Sequence, residues 1–136
     1  GAEYTRVNPF VYNNLIPAQR YTQYDYSLGD WMGANMDRQL LFVKYTPLPK
    51  LKLYARYQSI RKGGAGSIWD QYAAEPQPAF LFGLEKSRKD LYLQATYEVI
   101  NNLYVKGVYQ KINETYTTGQ KISNSLIQMG ISFGLN

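Results

Sequence analysis

Apolar and polar residues alternate along several stretches of about ten residues, and this pattern constrains the fold more than any other feature of the sequence. In "DLYLQATYEV", residues 90–99, every odd position is apolar or aromatic and most even positions are polar. The segments "LKLYARYQSI", residues 51–60, and "SLIQMGISFGLN", residues 125–136, repeat the pattern with the same parity. Because successive side chains of a strand point to opposite sides, this period of two indicates strands with one apolar face each.

Three weaker segments follow the same pattern, so the sequence predicts about six strands. No segment shows a helical period. Tight turns with Pro or paired Asn alternate with long connections, which predicts an antiparallel up-and-down sheet with all long connections at one end. The weaker strands are 3–12, 39–46 and 103–112; the tight turns are 47–50 and 101–102; the long connections are about 13–37, 62–85 and 117–120.

Two architectures fit six such strands. One is a soluble antiparallel sandwich or barrel with its apolar face inside. The other is an outer-membrane β-barrel, with the apolar face toward lipid and a polar lumen. Strands of about ten residues can cross a bilayer when tilted, and the contrast between short turns and long loops is typical of these barrels. Many of the 14 Tyr lie near strand ends, where interface girdles occur. These features favour the bacterial outer membrane.

Six strands cannot complete a membrane barrel, because such barrels have at least eight strands and an unpaired edge in hydrocarbon is costly. We therefore expect residues 1–136 to be the C-terminal part of a larger all-β barrel. Either the remaining strands of the same barrel or other outer-membrane chains complete it, and the final strand "LIQMGISFGLN" favours the first option. We expect at least one cross-strand ion pair, within about 4 Å, among Arg56, Glu98 and Lys106 on the polar face. The expected lipid-facing residues are Val43, Leu53, Leu91, Leu93, Ile127, Met129 and Ile131.

The composition argues against several classes of function. The chain has no His and no Cys, so the commonest general base and the thiolate metal ligands are missing. The net charge of +5 comes from scattered residues, which does not indicate a nucleic-acid partner. The loop "RKGGAGS", residues 61–67, lacks the Gly-Lys-Ser/Thr ending of a phosphate-binding loop. We predict neither an enzyme nor a cofactor or metal site.

The most unusual segment is "RYTQYDYSLGDWMGANMD", residues 20–37, which holds three Tyr, one Trp and three Asp without strand or helix periodicity. On the barrel interpretation it lies at the extracellular end. Its rings could stack on sugars and its polar groups could bind sugar hydroxyls or acidic sugars. The alternative is that the rings pack inward as a plug or constriction. The candidate glycan-binding residues are Arg20, Tyr24, Tyr26, Asp30, Trp31 and, from the next long connection, Trp69.

Four segments in order, "EYTRVNPFVYNN", "RYTQYDYSLGDWMGANMDR", "YQSIRKGGAGS" and "FLFGL", resemble the C-terminal third of the Wzi-like capsule-assembly family of outer-membrane proteins. The resemblance covers most of the chain. It implies a large closed barrel that holds capsular polysaccharide at the Gram-negative cell surface. The spacing of Gly33, Asn35 and Asp37 matches the family pattern, whereas Gln23 and Asp30 stand where that pattern has His. The alternative function is a structural or pore-forming subunit of a multi-protein outer-membrane complex.

Overall fold

A single antiparallel sheet dominates the computed structural model, which describes residues 1–12, 22–23, 26–27 and 31–134. Its six strands lie in the order β1-β4-β5-β6-β7-β8, and β2 and β3 form a separate antiparallel pair. One short helix, α1, lies in the connection between β5 and β6. The bounds are β1 Ala2–Val7, β2 Thr22–Gln23, β3 Tyr26–Ser27, β4 Met36–Leu48, β5 Leu51–Lys62, α1 Ile68–Tyr72, β6 Lys86–Ile100, β7 Leu103–Tyr116 and β8 Lys121–Phe133.

The six-stranded up-and-down topology predicted from the alternation is confirmed. The two short turns lie at one end of the sheet and the long connections at the other. In the described residues the sheet is open, because the outer edges of β1 and β8 have no partner strand. No helix in this part of the chain is long and apolar enough to span a membrane.

The helix α1 was not expected from the sequence. Five residues are too few to show a 3.6-residue period, so only its cap carries a local signal. Ser67 precedes the helix and Asp70 lies three positions later. Each side chain bonds the backbone N–H of the other residue, as in a capping box.

One side of the sheet, which we call the apolar face, carries the longer runs of large apolar side chains in β4 to β8, although the opposite side also holds several, such as Val108 and Leu126. The register places Val43, Ala55, Leu93, Tyr109 and Ile127 in one row across five strands. These side chains are largely uncovered: Ile127 is 75% exposed. The seven residues expected to face lipid lie on this one face, as the alternation predicted.

In strands β4 to β8 the odd-numbered residues lie on the apolar face, but in β1 the even-numbered residues do. Tyr4 pairs with Gln39 and Ala2 with Leu41, so the even positions of β1 share the apolar face with the odd positions of β4. Odd positions such as Thr5 lie on the opposite side. The phase of the alternation is set by pairing, and a long connection between two strands can contain any number of residues. The parity shared by the other strands therefore could not be extended to β1.

The opposite side, the polar face, carries a ladder of alternating charges across β5, β6 and β7. Lys86 lies 3.0 Å from Glu114, and Arg88 contacts both Glu114 at 3.5 Å and Asp90 at 3.6 Å. Arg56 extends the ladder to Asp90 at 3.7 Å. Most of these side chains are half-buried against their neighbours, so mutual pairing limits the cost of removing them from water.

The expected ion pair among Arg56, Glu98 and Lys106 is wrong. Arg56 lies opposite Tyr92, six residues along β6 from Glu98, which places the two charges about 20 Å apart. Glu98 instead accepts a hydrogen bond from the backbone N–H of Asn102 in the turn, at 3.1 Å. The sequence placed these side chains on one face, but their separation depends on the register, which the alternation does not fix.

Candidate functional site

Asn35 joins the long connections where they meet beyond the sheet. Its side-chain amide donates hydrogen bonds to the carbonyls of Gly64 and Phe82, at 2.8 and 3.1 Å, and its side-chain oxygen accepts one from the N–H of Leu81 at 2.7 Å. Its own N–H donates to the Asn8 carbonyl at 3.1 Å. The residue is fully buried and has φ of 54°, a left-handed conformation that Asn tolerates better than most residues. We call the loops that Asn35 connects the loop junction.

Gly63, in the segment "RKGGAGS", lies where two loops approach each other closely. A Cβ at this position would lie 2.3 Å from the Asn35 amide nitrogen and 2.8 Å from the Phe82 carbonyl oxygen. The Gly63 N–H also donates to the Asn35 carbonyl at 2.8 Å. Close approach of two loops, rather than binding of a phosphate, therefore accounts for glycine at this position.

Aromatic rings and one ion pair complete the loop junction. Phe10 and Phe82 stack with ring centroids 5.6 Å apart, and the guanidinium of Arg6 lies 3.8 Å from the centroid of the Phe80 ring. Asp37, which is almost fully buried, accepts two hydrogen bonds from Arg61, one of them from Nε at 3.0 Å. A bidentate pair of this kind compensates a buried carboxylate effectively.

Trp31 lies beside the loop junction and points away from it into solvent. Its indole is 73% exposed, whereas Met32 and Ala34 next to it are held by Lys62, whose ammonium donates to their carbonyls at 2.8 and 2.6 Å. The backbone that carries the indole is thus anchored to the end of β5. Within the described residues the ring is therefore accessible, as sugar stacking requires.

Trp69 is the second exposed indole, with 77% of its surface accessible. It belongs to α1, whose capping residues are tied by a 2.7 Å hydrogen bond from the Ser67 N–H to Asp70. This hydrogen bond holds the pKa of the Asp70 carboxyl below its ordinary value, because it favours the charged form. Tyr72 follows three residues after Trp69 and is also exposed. In the described residues no ring contact joins the two indoles.

For the other four candidate glycan-binding residues, the structure describes no side chain. Tyr26 lies in β3, and its side chain is outside the described residues, as are Arg20, Tyr24 and Asp30. Phe80, another aromatic residue of the second long connection, already has Arg6 over its ring and so offers no open stacking face there. In the part of the chain that the structure describes, no group of three or more acidic side chains is placed to hold a metal ion.

The sequence did not identify Asn35 as the central residue of this region. Its signal was the Gly-x-Asn-x-Asp spacing, in which Gly33 has φ of 73°, Asn35 bonds the loops and Asp37 pairs with Arg61. From the sequence alone, this spacing is recognisable only through the family resemblance. Its structural meaning depends on residues 64 and 82, which lie far away in the sequence.

Comparison with known proteins identified no relative of this chain. No protein-family model matches the chain, and neither a curated protein nor a solved structure matches it. The resemblance to Wzi-like proteins therefore stays a prediction from the sequence.

Proposed function

We propose that this chain forms part of an outer-membrane β-barrel that retains surface polysaccharide at its long-loop end, without catalysis. The observation that carries the barrel proposal is the distribution of side chains over the two faces of the sheet. Met36 and Val108 are the only buried apolar side chains among the described residues, whereas Met129 is 86% exposed. Apolar side chains that are uncovered on one side, with paired charges on the other, suit lipid outside and water inside.

The dimensions of the apolar face support a membrane setting. The apolar face extends from the row of Leu103 and Phe133 at the short-turn end to the row of Tyr57 and Leu91. The second row meets β7 at Lys111, which is eight residues or about 26 Å from Leu103. A strand tilt of about 40° reduces this to about 20 Å, near the band of about 25 Å on outer-membrane barrels. The next row toward the loops is polar. It consists of Gln39, Ser59, Lys89, Asn113 and Ser123.

The open edges of the sheet support the second candidate, a subunit that shares its barrel with other chains. The unpaired backbone groups of β1 and β8 would be costly in hydrocarbon, so further strands must cover them in a membrane. These strands belong either to the same protein or to partner subunits. In both cases the loop junction stays at one end and the short turns at the other.

Single cysteines test the barrel, because the 136 residues contain none. Met129→Cys and Ile127→Cys lie on the apolar face, and the matched control Gln128→Cys lies between them on the polar face. In cells that express the whole protein, a water-soluble maleimide should label the control and leave the other two unlabelled until detergent or denaturant is added. Equal labelling of all three positions before solubilisation would reject the membrane barrel.

Trp31→Ala and Trp69→Ala test the glycan role. Both indoles are more than 70% exposed, so their removal should leave the fold intact. Surface polysaccharide should fall in cells that carry the double variant, while heat-modifiable migration of the barrel stays normal. The matched control is Tyr97→Ala, an exposed ring on the apolar face at the short-turn end. Normal polysaccharide retention by a folded double variant would remove both indoles from the proposed function.

A further inference from the structure

The two ends of the polar face differ in how their positive charges are compensated. Toward the loops, Lys86, Arg88 and Arg56 all contact Glu114 or Asp90. Toward the short turns, the polar face carries three lysines, for which the described residues supply no ion-pair partner. They are Lys44, Lys52 and Lys106. We call these three residues the lysine patch.

The strand register brings the lysine patch together. Lys52 and Lys106 both neighbour Thr96, one from β5 and one from β7, so they attach about 10 Å apart. Lys44 lies opposite Tyr54, one position further along the same face. All three side chains are exposed. The acid of β6 in this half, Glu98, bonds the turn N–H of Asn102 instead of a lysine. The local field is therefore positive.

Two shallow depressions, one on each side of β6, are lined by tyrosine and glutamine side chains in addition to the lysines. One, of about 310 Å³, is bordered by Lys44, Lys52, Tyr54 and Gln94, together with Tyr45, Thr46 and Leu53. The other, of about 250 Å³, is bordered by Tyr92, Lys106, Gln110 and Gln128 among others. The Tyr54 and Tyr92 rings lie edge to face between them, with centroids 5.9 Å apart. Amides that can bond hydroxyls, tyrosine rings and uncompensated ammonium groups thus line one continuous surface.

We propose that the lysine patch and its two depressions bind an acidic polysaccharide strand, one that carries carboxylate groups along its length. This inference deepens the proposed function: it rests on a glycan role and names both the charge of the glycan and a second contact surface. Charge complementarity selects the occupant, because clustered cations without counter-charges raise the local concentration of an anionic chain. A neutral glycan could accept hydrogen bonds from the three ammonium groups but would gain no charge attraction from them.

The experiment uses the whole protein in detergent micelles, with fluorescently labelled polygalacturonate as the acidic probe and dextran as the neutral one. The test variant combines Lys44→Gln, Lys52→Gln and Lys106→Gln. The matched control combines Lys89→Gln, Lys111→Gln and Lys121→Gln, which remove the same charge from exposed positions on the other face.

The test variant should bind polygalacturonate at least about tenfold more weakly than the wild type at low ionic strength, and the control should bind as the wild type does. Salt should weaken the wild-type complex strongly and the complex of the test variant little, because screening acts on these charges. Equal affinity of the two triple variants, or no binding by the wild type, would overturn the inference.

The Trp variants separate this inference from the function on which it rests. Loss of surface glycan in the Trp31→Ala, Trp69→Ala variant together with unchanged binding by the lysine variant leaves the loop site and removes the lysine patch. The reverse result assigns binding of the acidic chain to the polar face and removes the loop site.

Discussion

Replacement of Asn35 by Ala should loosen the loop junction strongly, because the change removes three hydrogen bonds in a buried site. The Gly64 carbonyl and the Leu81 N–H lose their partner, whereas the Phe82 carbonyl loses one of two donors and keeps the Gly64 N–H at 2.9 Å. A buried backbone group without a partner costs about 1–3 kcal/mol, so two such groups cost roughly 2–6 kcal/mol if the loops do not rearrange. Alanine in the left-handed conformation at φ of 54° adds about 1–2 kcal/mol.

Amide hydrogen exchange measures this effect locally. The suitable reporters are the N–H groups of Gly64 and Glu85, which donate to the carbonyls of Phe82 and Lys62 at 2.9 and 2.8 Å. Their own bonds do not involve the Asn35 side chain. If opening of the loop junction exposes them, a loss of about 3 kcal/mol accelerates their exchange by more than 100-fold. Exchange in the centre of β6 should not change.

Two further variants separate the contributions. Asn35→Gly removes the same three bonds without the left-handed strain, so it should accelerate exchange about 5- to 30-fold less than Asn35→Ala does. Asn102→Ala is the control for strain: Asn102 has φ of 65° in the turn, and its side chain makes no hydrogen bond in the described residues. Unchanged exchange at Gly64 and Glu85 in Asn35→Ala would refute the assignment of Asn35 as the residue that holds the loops together.

Two other predictions concern the face of the sheet and the helix cap. Leu93→Arg should destabilise the protein in lipid vesicles by roughly 2–4 kcal/mol near the bilayer centre, measured by denaturant unfolding; Gln94→Arg on the polar face should cost less, and equal costs would contradict the assignment of the faces. Because the folded pKa of Asp70 is lowered, its support of α1 is present at neutral pH and lost as pH falls through that folded value. The protection factor of the Ala73 amide, its exchange rate relative to an unstructured peptide at the same pH, should therefore fall in acid, and Asp70→Asn should show low protection at neutral pH as well. A protection factor that does not depend on pH in the wild type would exclude this role.

The sequence predicted the sheet well because each strand carries its own signal. The alternation in residues 90–99 and 51–60 depends only on neighbours two positions apart, and the turns at 47–50 and 101–102 are equally local. Strand order followed, because hairpins connect adjacent strands. The length of β1 and the small pair β2–β3 lie outside what such periodicity can define.

The loop junction was much harder to predict, since its contacts join residues distant in sequence. Asn35 and Phe82 are 47 positions apart in the sequence, and no local pattern predicts their contact. The same limit explains the wrong ion pair: parity placed Arg56 and Glu98 on one face, but only the register shows that Arg56 reaches Asp90. The sequence left open whether the Trp31 ring is exposed or packed inward; in the structure it is exposed, and its ligand stays a proposal.

The directions of the two outer strands constrain how a barrel that contains this sheet could grow. With six antiparallel strands in order, β1 and β8 run in opposite directions. An even number of added strands therefore closes the ring with antiparallel pairs throughout, whereas an odd number forces one parallel pair. Whole hairpins are thus the natural unit of insertion. The diameter of such a barrel could change in steps of two strands during evolution, while every tight turn stays at one end of the barrel and every long connection at the other.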